Sequence, residues 1–290
     1  MTNRKIFTIS VFILISISIY SQDKRPLTGK SLAQLDFFYC GESRGDKDMH
    51  YLYIIKDGKL AWEYTCPDPG STSDGMLLTD GNIIYTHKDG ISEINQNKEV
   101  LWTIRVPEGT EVHSDQPIGN EHVIYFLCGK PAKIVVANIK TKQTVHEMVV
   151  ETNPEVYAHT QNRVARLTPW GTYVVPHLNY GKVREYNSKG DIVWEVNAPR
   201  PWCVQVLPNG NVLVANEMTD TNDSVKSYQN DKELMVKNWN LVQEFNRKGE
   251  VVWEVKYEDH PEYHGTTIQG AYRTEDGNTI ISNTIENRPQ

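Results

Sequence analysis

The feature that most constrains this chain is a twelve-residue segment written five times. Residues 244–255 read EFNRKGEVVWEV and residues 185–196 read EYNSKGDIVWEV. Three looser copies precede them: YIIKDGKLAWEY at 53–64, EINQNKEVLWTI at 93–104 and ANIKTKQTVHEM at 137–148. Trp62, Trp102, Trp194 and Trp253 hold one position of the unit, and His146 stands there in the third copy. The units begin 40, 44, 48 and 59 residues apart. Such periods belong to propellers, solenoids or arrays, where one supersecondary unit cannot bury its apolar face without a neighbour.

A second element lies upstream of each copy after the first, and one more closes the chain. LTDGNIIYTH (78–87), GNEHVIYFLC (119–128), LTPWGTYVVPH (167–177), LPNGNVLVAN (207–216) and TEDGNTIISN (274–283) are tight turns leading into apolar strands. Asp-Gly and Asn-Gly supply the positive φ that a hairpin turn needs. No segment after the N-terminal stretch carries apolar residues at a helical period. Each unit therefore reads as four short antiparallel strands, and their repetition without helices describes an all-β propeller. A flat Trp on the outer strand suits covering the neighbouring blade, so the four Trp residues are read as structural. Residues 35–66 supply three strands of a first blade; 74–106, 113–150, 157–197 and 202–256 supply four complete blades; 266–290 supply two strands more. The expectation is about six blades, the last incomplete, in one domain over 35–290. Within it, polar residues 217–240 form an insertion loop of the fifth blade.

The A-x-x-x-x-x-G-x-x-x-W-like units resemble the Trp-docked repeat of the PQQ-like (quinoprotein-type) β-propeller superfamily, over roughly 35–290 as repeats. That superfamily includes quinoprotein dehydrogenases, outer-membrane-assembly propellers and arylsulfotransferases, and its architecture is of the WD40/YVTN kind. The resemblance implies a propeller, but no cofactor is expected. The chain has no vicinal Cys pair to pack on a quinone and no Cys-x-x-Cys-His, so PQQ does not fit. A divalent metal remains open.

Bulk properties narrow the partners. A net charge of −7 opposes a nucleic-acid partner, which calls for a basic face. Arg4 and Lys5 precede an apolar stretch at 6–20, with small Ser21 after it. This pattern reads as a signal peptide over 1–21, with a linker over 22–34. It implies a periplasmic or secreted protein, without membrane insertion after cleavage and without a lipoprotein Cys. Cys40, Cys66, Cys128 and Cys203 allow three disulfide pairings, and buried free thiols are an equal alternative.

In a propeller, the connections between blades and the loops after second strands share the face around the channel mouth. These segments place His87, His113, Gln116, His159, Gln161, Arg163, His177, Gln205, His264 and Gln269 there as ligand-binding candidates. His113 and His159 are the candidates for acid–base or metal chemistry, because imidazole titrates near neutral pH and ligates metals. Arg166 and Tyr173 flank a turn and read as structural. The chain has no G-x-S-x-G elbow, H-E-x-x-H pair or phosphate-binding loop. Two readings stand. The first is a non-catalytic binding or scaffold propeller for a glycan, a small anionic ligand or a protein partner. The second is an exported enzyme, an arylsulfotransferase-like transferase or a sugar lyase, that works through the mouth histidines.

Overall fold

The computed structural model describes residues 35–43, 49–67, 72–153, 155–216, 225–229, 232–236, 240–256, 259 and 266–285. The expected signal peptide and linker lie outside the described residues.

The chain is an all-β antiparallel propeller. The first blade has three strands: β1 (Phe37–Ser43), β2 (Met49–Lys56) and β3 (Lys59–Cys66). The second is β4 (Gly75–Leu77), β5 (Ile83–His87), β6 (Gly90–Ile94) and β7 (Val100–Arg105). The third is β8 (Glu111–Ile118), β9 (His122–Cys128), β10 (Ala132–Asn138) and β11 (Thr144–Val150). The fourth is β12 (Arg166–Leu167), β13 (Tyr173–His177), β14 (Lys182–Tyr186) and β15 (Ile192–Asn197). The fifth begins with β16 (Pro201–Val206) and β17 (Val212–Asn216). A hairpin follows, β18 (Val225–Gln229) with β19 (Lys232–Val236), and then β20 (Asn240–Phe245) and β21 (Val251–Lys256) complete the fifth sheet. Last come β22 (Thr266–Arg273) and β23 (Thr279–Ile285).

Two expectations change. The propeller has five blades, not about six. Among the described residues β22 and β23 pair only with each other. They pack on the fifth blade through Ile268, Ala271 and Ile281, which join the cluster around Leu213, Ala215 and Val242. The insertion over 217–240 also contains a paired hairpin, so it is not wholly a loop.

The twelve-residue unit has a local cause. Asn95, Asn187 and Asn246 each directly follow the third strand of their blade. Each carboxamide oxygen accepts the backbone N–H two and four residues on. The turn then crosses the left-handed region at Lys98 (φ 68°), Gly190 (φ 90°) and Gly249 (φ 82°), which favours Gly there. A register shift marks the pairing of the third and outer strands in all five blades.

The Trp at the end of the unit reaches the next unit. Trp62 Nε1–H donates to the carbonyl of Gln96 at 3.0 Å. Lys142 lies 4.9 Å over the Trp102 ring, Arg247 lies 5.0 Å over Trp194, and Arg273 lies 4.3 Å over Trp253. The core accordingly lies between sheets, in five apolar clusters. Each joins one sheet to the next, as Ile124, Phe126 and Met148 of the third blade meet Tyr173, Val175 and Tyr186 of the fourth. All four cysteines are free thiols. Burial pushes the Cys128 thiol up to about 12, which keeps it protonated and inert. No helix among the described residues is long and apolar enough to cross a membrane.

Candidate functional site

Strands β1, β4, β12, β16, β22 and β23 border a cavity of about 790 Å³. His159, Arg163 and Arg166 reach its wall, as do Trp202, Tyr39 and Tyr272. Behind His159 and Arg163 lies β8. Its pairing with β9 runs Glu111 to Cys128 and Val112 to Leu127, then resumes at Asp115 opposite Tyr125. β8 therefore carries one extra residue across His113–Ser114, a bulge that re-aims the side chains there.

Five polar side chains meet beside the bulge. His159 sits on a short helical turn, Ala158–Thr160, and its Nδ1 lies 2.8 Å from Glu111 Oε2. The same carboxylate oxygen lies 3.1 Å from His113 Nε2. Arg163 Nη1 lies 2.8 Å from His113 Nε2, and Ser73 Oγ lies 3.1 Å from His113 Nδ1. The two imidazoles stand nearly perpendicular, with centroids 5.2 Å apart. His113 is buried, whereas the His159 side chain is half-exposed. Arg163 lies over Trp202, its guanidinium carbon 4.4 Å from the ring centre.

The electrostatics follow from these contacts. Burial, aided by the Arg163 cation, pushes the His113 imidazole down to about 3, so the ring is neutral at physiological pH. Hydrogen bonds from His113 and His159 hold the Glu111 carboxyl well below the usual carboxylate range. A neutral His113 has one N–H. With the proton on Nδ1 it donates to Ser73, and Nε2 accepts from Arg163. With the proton on Nε2 it donates to Glu111, and the Ser73 hydroxyl donates to Nδ1. The ring can satisfy Arg163 or Glu111, not both.

A second ionic group lies farther along β8. Arg166 Nη1 and Nη2 donate to Asp74 at 2.6 and 2.8 Å, a two-pronged pair, and the backbone N–H of Asp115 donates to Asp74 Oδ2 at 3.1 Å. The Asp115 carboxyl is buried and neither oxygen has a hydrogen-bond partner among the described residues. It borders a separate cavity of about 20 Å³ with Arg166, Tyr125 and Tyr173, room for one water. Burial, and then the Asp74 charge, push its carboxyl well above the usual range.

The structure groups three of the sequence candidates, His113, His159 and Arg163, and puts Gln269 and Gln205 on the cavity wall. Three of the amides, Gln205 among them, also tie backbone together. Gln161 exchanges two hydrogen bonds with the Gly129 backbone, at 2.8 and 2.9 Å. Gln116 accepts the Leu167 N–H, and Gln205 clasps the Arg273 backbone. His87 and His177 are buried inside their blades and do not reach the cavity. Their Nε2 atoms meet the Ser92 hydroxyl at 3.1 Å and the Tyr186 hydroxyl at 2.8 Å. His264 lies outside the described residues. Sequence reasoning did not pick out Glu111, Ser73 or Asp74. For Glu111 a signal exists, since E-x-H places two ligand types two apart on one strand. Asp74 and Arg166 meet across 92 residues, and no spacing announces that.

No family model and no curated protein matches the chain. Among solved structures it is similar to a protein of unknown function from Bacteroides caccae, with TM-score 0.54 and 18% identity over 76% of this chain and 93% of that one. It is also similar to the Pan2 WD40 domain of Neurospora crassa, with TM-score 0.52 and 12% identity over 81% of this chain and 69% of that one. Likeness at this identity shows the fold alone, a β-propeller.

Proposed function

We propose that this chain is an exported binding propeller whose cavity takes a small anionic ligand, an acidic sugar or short acidic glycan being the best match. The observation that carries the reading is the cavity wall. A space of about 790 Å³ is bordered by Arg163, Arg166 and His159, with Trp202, Tyr39 and Tyr272 among the other lining residues. That volume suits a small organic ligand, and aromatic faces with a few fixed polar groups are the usual lining. Arg163, stacked on Trp202, presents a planar fork that matches a carboxylate or sulfate. The Trp residues that reach the next unit support a place among Trp-docked PQQ-like propellers, and no quinone is part of the proposal. Isothermal titration against uronic acids, sulfated sugars and their neutral counterparts tests the reading. The acidic members bind, the neutral ones bind at least tenfold more weakly, and Arg163→Ala removes most of that preference, as loss of a charge-assisted hydrogen bond worth about 1.5–3 kcal/mol implies. Binding indifferent to ligand charge, or to Arg163→Ala, overturns it.

One observation favours a catalytic version. Glu111, His113 and His159 touch one another beside the cavity, and the half-exposed His159 imidazole stands on its wall. On that reading the chain is an arylsulfotransferase-like transferase or a lyase acting on an anionic substrate held by Arg163. Turnover of aryl sulfates or uronic-acid oligomers, abolished by His159→Ala with an unchanged melting temperature, supports it. Binding without turnover returns the reading to the first.

A further inference from the structure

We propose that Glu111, His113 and His159 form a binding site for a divalent transition metal, zinc being the best match, and that Arg163 gates it by competing for His113 Nε2. The proposal does not depend on the identity of the cavity ligand.

The donor set fits first. Two imidazole nitrogens and one carboxylate oxygen lie within 4.8 Å of one another. Zinc binds such donors at about 2.0–2.2 Å, so in a tetrahedral site their mutual separations are about 3.3 Å. Glu111 Oε2 already stands 3.1 Å from His113 Nε2 and 2.8 Å from His159 Nδ1. Two histidines and one glutamate are a donor set of open zinc sites, which keep a fourth position for water or a ligand. His159 borders the large cavity, so the fourth position lies toward that cavity.

The surroundings fit next. A ligating histidine needs its second ring nitrogen held by a hydrogen-bond partner, which fixes the tautomer. Ser73 Oγ, 3.1 Å from His113 Nδ1, is placed to accept that N–H, leaving the Nε2 lone pair for a metal. The bulge in β8 sets the direction of this ring.

Arg163 is the obstacle and therefore the gate. Its Nη1 occupies the same Nε2 lone pair at 2.8 Å, and its positive charge opposes a nearby cation. A metal must displace that contact. Arg163 then retains its stacking on Trp202 while its donors turn toward the cavity. Metal and anion favour each other on this scheme: an anion that draws Arg163 away exposes Nε2, and a bound metal releases Arg163 to the anion.

The test uses the untagged full chain, titrated with zinc alone in a competing chelator, with metal analysis after dialysis. One zinc per chain is expected. Glu111→Gln and His159→Ala, both on side chains that solvent reaches, each weaken binding at least tenfold. His122→Ala and His146→Ala leave it unchanged. Arg163→Met strengthens it several-fold, because the competitor and its charge are gone. His113→Ala risks the fold, so the two accessible ligands carry the test. Absence of stoichiometric zinc, or binding that survives Glu111→Gln and His159→Ala together, overturns the site. Arg163→Met weakening zinc as much as Glu111→Gln does overturns the gate.

Discussion

The two ends of strand β8 carry ionic groups of opposite character. At its start, Glu111 and His113 share partners that cannot all be served at once, and the half-exposed His159 completes the group at the cavity wall. Two to four residues on, Asp115 is sealed against Asp74, whose charge is already committed to Arg166 by two short hydrogen bonds. A one-residue bulge separates the two ends. The contrast distinguishes structure from function. A charge clamped by a fixed partner holds blades together. A ring with two competing partners and a route to the cavity is free to exchange one of them for a ligand.

The largest effect belongs to the sealed end. Arg166→Ala leaves Asp74 and Asp115 buried without their cation, and breaking such a pair from one side costs about 3–5 kcal/mol. Urea denaturation at neutral pH measures it. A loss below 1 kcal/mol would mean that water reaches Asp74 from the cavity, and the contrast between the ends would disappear.

The next effect sharpens the contrast within one residue type. His177 is buried with its Nε2 on the Tyr186 hydroxyl at 2.8 Å. His177→Ala opens a void and leaves that hydroxyl with Arg184 as its remaining side-chain partner, at a cost of about 2–3 kcal/mol. His159→Ala, on a half-exposed side chain, stays within about 0.5 kcal/mol. Stability and ligand affinity should therefore separate: His177→Ala lowers the first, and His159→Ala lowers the second. Equal stability losses would place His159 in the fold and remove it from the site.

The same contrast explains what the sequence revealed. The Trp unit announces the propeller because its cause is local: an Asn that folds the turn, a left-handed residue, and a Trp that meets the next turn. The blade number is less local. Whether β22 and β23 make a blade depends on which strands join them, and pairing among distant segments leaves no mark within either one. The site was half legible. His113, His159 and Arg163 lie in connections between blades, where polar residues at the mouth are easy to find. His87 and His177 end second strands, where a period of two decides between the mouth and the blade interior, and both side chains turned inward. Glu111 stands in regular register just before the bulge, and only its spacing two residues from His113 marks it.

The smallest effect is a pH dependence, and it probes the sealed end directly. The folded state raises the Asp115 carboxyl well above its unfolded value of about 3.9. The groups around it are Asp74, which adds to the rise, Arg166, which opposes it, and the half-buried Cys40 thiol. For a raised carboxyl, stability is fully present below the unfolded value and is lost as pH climbs toward the folded one, by at most about 1.4 kcal/mol per pH unit. Asp115→Asn removes that loss. Relative to the parent, the variant should gain unfolding free energy between pH 4 and pH 8, with the gain growing as pH rises. Parallel curves for the two proteins would show that Asp115 is ionised in the fold. The sealed end would then be a charged triad that Arg166 alone neutralises, and Arg166→Ala should cost correspondingly more at pH 8 than at pH 4.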